Sequence, residues 1–143
     1  MKVLILTDNK FLLENFIKII QSKNLNKKYD FTFAYSFNNP APNDLIDCCK
    51  EIVKINVKNE MNYIIKHFDL IFSLHCKQIF PKELVNKVRC INIHPGFNPY
   101  NRWWFPHVFS IINKYPSGAT IHIMDEQIDH GPIIVQKEIE IDS

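Results

Sequence analysis

Glycine is almost missing from this chain: only Gly96, Gly118 and Gly131 occur in 143 residues. The first apolar run leads into Thr7-Asp8-Asn9-Lys10 with no glycine turn, so neither a dinucleotide fingerprint nor a P-loop is present. Backbone cradles for phosphate are correspondingly few, and any phosphate is expected on side chains such as Lys77 or Arg102. Charge of one sign is lacking too. The 17 Lys and Arg face 15 Asp and Glu, a formal net charge of +2, and Lys27-Lys28 is the lone adjacent basic pair. No basic stripe marks a nucleic-acid groove, while a small anionic substrate stays open. Long apolar runs are absent: Met1–Leu6 is too short for a signal peptide and meets Asp8 at once, and nothing later approaches membrane-spanning length. A soluble, cytoplasmic chain is expected, with no membrane partner. Cys48, Cys49, Cys76 and Cys90 lack the spacing of zinc pairs or of a secreted disulfide framework, and read as reduced thiols.

What is present suits one ordinary core. Hydrophobic residues make up 46% of the chain, and 1–143 is expected to be a single domain. Val3–Leu6 has the continuous apolar character of a parallel strand buried on both faces, with Asp8 or Asn9 capping a helix whose face is Leu13, Phe16, Ile17 and Ile20. Phe31–Tyr35 reads as a strand, Phe37–Pro42 as a loop, Ile52, Ile55 and Val57 as a short strand, and Asn59–Lys66 as a helix. Leu70–Leu74 and Arg89–His94 are further strands, with a helical turn at Pro81–Asn86 between them. A loop over Pro95–Phe105 and a helix from Pro106 to Asn113 follow. Ser117-Gly118 reads as a turn before an alternating Ala119–Met124, and Ile133–Ile141 as the last strand. This alternation predicts an α/β fold, a Rossmann-like three-layer sandwich around a mostly parallel sheet, with antiparallel last strands left open.

The chemistry-bearing residues gather at Asn92-Ile93-His94-Pro95-Gly96. Side chains alternate along a strand, so Cys90, Asn92 and His94 share one face and Ile91 and Ile93 the other. Pro95 ends the ladder, which puts His94 at a carboxyl end, the edge where open α/β sheets bind ligands. Histidine titrates near neutrality and suits an acid, a base or an oxyanion stabiliser, and Asn92 offers two N–H donors in a fixed direction. A satisfied core histidine is the commoner account of an isolated His, and a loop-bonding amide that of an isolated Asn. Their pairing before Pro95-Gly96 tips the reading towards function. Asp129, in Gln127-Ile128-Asp129-His130-Gly131-Pro132, has turn capping as its commoner role; beside His94 its carboxylate would favour the imidazolium or accept a proton through water.

His107, His122 and His130 raise a metal site together with His94, but no pair has close helical spacing, so no metal is expected. His122, alternating with Ile121 and Ile123, is read as lining a solvent-facing side of its strand. Trp103, Trp104 and Phe105 beside Tyr100, Asn101 and Arg102 suit a clamp on a flat ring and an anionic group, or equally a hydrophobic lid.

The pairing of Asn92-x-His94-Pro95 with Asp125-Glu126-x-x-Asp129-x-Gly131-Pro132, in this order and separation, resembles the catalytic domain of the folate-dependent formyltransferases. Leu74-His75-Cys76-Lys77-Gln78-Ile79-Phe80-Pro81 and Asn98-Pro99-Tyr100-Asn101-Arg102-x-Trp104-Phe105-Pro106 resemble the branch that acts on nucleotide-linked amino sugars, above all dTDP-4-amino-4,6-dideoxyhexoses. The resemblance covers essentially the whole chain and is strongest from Leu70 to Gln136. It implies transfer of a formyl group from N10-formyltetrahydrofolate, the donor cosubstrate, to the sugar amine, in the biosynthesis of bacterial surface polysaccharide such as lipopolysaccharide. The implied catalytic residues are Asn92, His94 and Asp129. Asn92 and protonated His94 would stabilise the oxyanion, while Asp129 orients His94 and helps remove the amine proton. Cys76, Lys77, Gln78 and Ile79 with Asp125 and Asp129 are implied in holding the folate, and Lys77, Tyr100, Asn101, Arg102 and Trp104 in holding the sugar nucleotide.

Near alternatives are formylation of glycinamide ribonucleotide, disfavoured by the missing glycine-rich turn, and of methionyl-tRNA, disfavoured by the missing basic stripe. Two departures motivate a catalytically inactive, truncated binding module. Trp103 stands where the family usually has glycine, and the chain stops at Ser143 where the family's domain continues past Ile141 into further helix. A chain so shortened would lack packing and a dimer surface, and its exposed apolar area would favour association or instability, so a homodimer is left open. A histidine-based metal hydrolase ranks last.

Overall fold

Val3-Leu4-Ile5-Leu6 has no polar residue on either face, and β1 (Lys2–Thr7) is a fully covered strand in which each of these side chains is 2% exposed or less. The computed structural model describes residues 1–94, 117–125 and 131–139. The chain divides into two units, Met1–Cys90 and Ile91–Ser143. In the first, β1 lies between β2 (Asp30–Ser36) and β4 (Leu70–Leu74), and β3 (Val53–Ile55) flanks β2, every pairing parallel. The order across this unit is β3-β2-β1-β4.

Helices make the connections: α1 (Lys10–Ser22) from β1 to β2, α2 (Asn43–Cys48) from β2 to β3, and α3 (Met61–His67) from β3 to β4. Parallel crossovers are right-handed, so α1 and α2, stepping outward in strand order, cover one face, and α3, stepping back across β2 and β1, covers the other. On the first face Leu13 and Leu45 join Cys49 and Ile52 against Phe33 and Tyr35, and the Phe16 ring meets those of Phe31 and Phe72 at 6.4 and 5.7 Å. Leu4, Leu6, Ala34 and Ile71 on the opposite pleat are equally buried. The helix α4 (Lys82–Lys87) packs against α3, and Ile64 and Leu84 are their fully buried residues.

Asn9, not Asp8, caps α1: its Oδ1 accepts from the Leu12 N–H at 3.0 Å, a bond worth about 1 kcal/mol. A 3-10 turn at Leu25–Lys27 and the helix α2 were not anticipated, and the helix expected from Asn59 begins at Met61.

The division between the units falls within β5 (Arg89–His94). In the second unit β6 (Ser117–Ile123) pairs antiparallel with β5 and with β7 (Ile133–Ile139). The last strands are thus antiparallel, an arrangement the sequence left open. Ser117-Gly118, expected as a turn, opens β6 instead, because both residues have ladder partners in Ile139 and Glu138. Among the described residues no helix is long and apolar enough to cross a membrane.

Gly131 is buried at the entry to β7, where a Cβ would overlap the carbonyl oxygen of Ile123, while the Ile123 N–H donates to the Pro132 carbonyl at 2.8 Å. Gly131→Ala must therefore push the chain off β6. It is expected to cost about 1–3 kcal/mol, read as a lower urea midpoint at unchanged slope.

Cys90 is fully buried, its thiol directed to the Val88 carbonyl at 3.3 Å, and burial pushes the thiol from 9.0 up to about 12. The folded chain keeps this proton over a range in which the unfolded chain releases it. The contribution of this group to stability is therefore complete below pH 9 and is lost as pH rises towards 12. Cys90→Ala is expected to flatten the alkaline limb of the stability profile in denaturant titrations.

Candidate functional site

In the order β3-β2-β1-β4 the direction of winding reverses between β1 and β4. The crevice outside the carboxyl ends of such a pair is where open α/β sheets bind ligands. Two segments emerge there, Asp8-Asn9 after β1 and His75 to Pro81 after β4. The predicted folate residues Cys76, Lys77, Gln78 and Ile79 thus stand together on one short stretch at the switch point.

That stretch is tied at both ends. The Asp8 N–H donates to the His75 carbonyl at 3.3 Å, and the Lys77 N–H donates to Asp8 Oδ2 at 2.7 Å. Between them His75 has φ 55°, a left-handed conformation that a residue with a Cβ adopts only when its neighbours hold it there. Gln78 closes the other end: its Oε1 accepts from the Val57 N–H at 2.8 Å and its Nε2 donates to the Ile55 carbonyl at 3.0 Å. The Gln78 carboxamide is therefore a clasp on the chain after β3. Ile79, just beyond it, is 77% exposed, an apolar side chain presented at the strand-end edge. The Cys76 sulfur lies 3.4 Å from Ser36 Oγ, and burial raises its thiol above the usual range, so it is a neutral packing group and not a thiolate nucleophile.

Asp8 carries more of this edge than the sequence announced. Its Oδ1 accepts from the Ser36 N–H at 2.9 Å and from Asn39 Nδ2 at 3.0 Å, and its Oδ2 from the Ser36 hydroxyl at 2.6 Å besides Lys77. The clue was that Asp8 and Asn9 both suit a cap and a helix needs only one.

In the second unit the register pairs Asn92 with His122 and His94 with Thr120. Directly opposed residues of an antiparallel pair project to the same face, and Asn92 Nδ2 lies 3.2 Å from His122 Nε2. His122 Nδ1 is 3.1 Å from the Ile123 carbonyl, which can only accept, so Nδ1 carries the proton and Nε2 accepts from the Asn92 amide. His122 is 1% exposed, which corrects the expectation of a solvent-facing position. Alternation shows which residues share a face and not which face is covered. The ladder between β6 and β7 shifts register at this point: Ile121 faces Val135 and His122 faces Ile133, with Ile134 extra. A bulge of this kind re-aims side chains and is common beside active sites.

Asn92 is half-buried with its amide held, His94 ends β5, and Asp125 follows β6. Asp129, Tyr100, Asn101, Arg102, Trp103, Trp104, His107, His130 and the helix expected after Pro106 lie outside the described residues. No group of three or more His, Cys, Asp or Glu placed to hold a metal ion occurs among the described residues.

Residues 39–143 match the family described as Formyl transferase. Over 92 residues, 64% of this chain, the sequence is 53% identical to the dTDP-4-amino-4,6-dideoxyglucose formyltransferase of Mycobacterium bovis, of which the match covers 39%. The structure of a sugar N-formyltransferase from a Shewanella species is similar with a TM-score of 0.90 at 52% identity, across 99% of this chain and 58% of that one. A 4-N formyltransferase from Francisella tularensis follows with a TM-score of 0.88 at 51% identity, across 99% and 57%. The chain thus spans only part of the length of each.

Proposed function

The chain belongs to the formyl transferase family, and from that premise we propose that it transfers a formyl group from N10-formyltetrahydrofolate to the amine of a nucleotide-linked amino sugar of the dTDP-4-amino-4,6-dideoxyhexose type. The observation that carries the reading is the Asn92 amide held by a buried histidine. A loop-bonding asparagine needs no such anchor, whereas an oxyanion donor needs its N–H aimed before the reaction begins. The relatives at 52% and 53% identity, named for sugar formyl transfer, support the acceptor class.

In this reading the amine attacks the formyl carbon, and negative charge grows on the formyl oxygen. Asn92 donates an N–H to that oxygen, and His94, protonated, donates a second hydrogen bond. Asp129 orients His94 and takes up the amine proton, directly or through water. The bond from N10 to the formyl carbon then breaks as N10 takes a proton, the one released by the amine, and tetrahydrofolate leaves as the amide forms. The tied stretch Cys76–Ile79, with the backbone around Asp125 and Asp129, holds the folate, and Lys77, Tyr100, Asn101, Arg102 and Trp104 hold the nucleotide and sugar. Residues 1–143 belong to the catalytic domain of such an enzyme, acting in the cytoplasm on a precursor of surface polysaccharide such as lipopolysaccharide, with a homodimer open to it and no nucleic acid or membrane as partner.

The acceptor class is tested by competition. Offered N10-formyltetrahydrofolate with a dTDP-4-amino-4,6-dideoxyhexose, glycinamide ribonucleotide and methionyl-tRNA together, the chain is expected to formylate the sugar. Preference for either of the others would overturn the assignment.

A further inference from the structure

We propose that Asp8 is a positioning residue for the formyl donor: its carboxylate acts as a built-in anion that draws the ends of β1, β2 and β4 together and sets the backbone of Cys76–Ile79. The inference rests on the reading that this stretch holds the folate.

The donors around Asp8 come from three separate segments. Ser36 gives its N–H and its hydroxyl from the end of β2, Asn39 its side-chain amide from the loop beyond, and Lys77 its N–H from the stretch after β4. Converging N–H and O–H groups at the strand ends of an α/β sheet are the arrangement that receives a ligand's phosphate or carboxylate. Here all four point at a carboxylate supplied by the chain itself. Neither commoner use of a strand-end aspartate accounts for this: Asn9 caps α1, and the partners of Asp8 are amides and a hydroxyl with no ion pair needed to satisfy it. What the carboxylate does is tie the Lys77 N–H, and the Asp8 N–H in turn ties the His75 carbonyl. With the left-handed His75 fixed from both sides and Gln78 clasped to Ile55 and Val57, the stretch has one geometry, and Ile79 is held out at the edge.

Asp8→Asn separates this role from bulk. The amide keeps the size of the carboxylate but turns one acceptor oxygen into an NH2, so at least one of the donors now faces another donor. Asp8→Ala leaves a carboxylate-sized vacancy lined by donors, which added acetate can fill. Ser36→Ala removes the shortest bond alone.

The test uses the parent chain and these variants, reading KM for each substrate, calorimetric affinity for 5-formyltetrahydrofolate, and hydrogen exchange at the amides of 76–79. Asp8→Asn is expected to weaken folate affinity and raise KM for the formyl donor about tenfold, with a smaller rise in KM for the amino sugar, which meets this stretch through Lys77 alone. Exchange at the Lys77 amide should rise, Ser36→Ala should shift the same quantities less, and acetate should restore folate affinity in Asp8→Ala. Should Asp8→Ala fail to fold, Asp8→Asn and Ser36→Ala carry the test. Equal changes in both KM values, or unchanged folate affinity in Asp8→Asn, would overturn the inference while the functional reading stands. A parent chain that neither binds folate nor transfers formyl would overturn both.

Discussion

Asn92→Ala is expected to lower the rate of formyl transfer about a hundred- to a thousandfold, the loss seen when one prearranged oxyanion donor is removed. The effect should fall on kcat, with KM for both substrates little changed, because the bond it removes strengthens only as charge develops on the formyl oxygen. A second consequence follows from the structure. His122 Nε2 is buried and takes its hydrogen from Asn92, so truncation leaves that nitrogen without this donor, at about 1–3 kcal/mol of stability. The two losses are separable: urea unfolding reads the second, and steady-state kinetics well below the midpoint read the first.

His122→Phe has nearly as large an expected effect, at a residue that is 1% exposed. Phenylalanine fills the volume without a polar atom, so the chain should fold, but the Asn92 amide loses its anchor and can turn about its side-chain bonds. Misplacement of a donor by about 1 Å costs up to roughly a hundredfold, and a fall in kcat of about ten- to a hundredfold is expected. His122→Gln, which can place an acceptor oxygen near the same point, should recover part of it. The double variant Asn92→Ala/His122→Phe should be little slower than Asn92→Ala alone, because His122 acts through Asn92. Additive losses would show that His122 contributes by another route.

Much of the fold could be read from local pattern. Leu70–Leu74 and Arg89–His94 match their strands residue for residue, because a short apolar run bounded by charge or proline has few other solutions. The helix α2 escaped notice because Leu45 alone among its six residues is buried, and the Pro and Asn around it read as loop. Ser117-Gly118 shows the opposite failure: a dipeptide suited to a turn is drawn into a strand by a partner supplied from β7.

The site divided along the same line. Asn92 and His94 could be singled out because the sequence pattern puts two polar residues at alternate positions of an apolar strand, just before a proline. Asp8 and His122 were not, since each is defined by residues distant in sequence: Ser36, Asn39 and Lys77 for the first, Asn92 for the second. An aspartate after a strand and a histidine between isoleucines carry no local mark of such partners.

The most direct measurement is the release of tetrahydrofolate when the chain is given N10-formyltetrahydrofolate and dTDP-4-amino-4,6-dideoxyglucose. The account predicts release that requires both substrates, matches formyl amide formed on the sugar, and drops about a hundredfold or more in Asn92→Ala. Binding of both substrates without release, or release at the same rate in the parent and in Asn92→Ala, would contradict it.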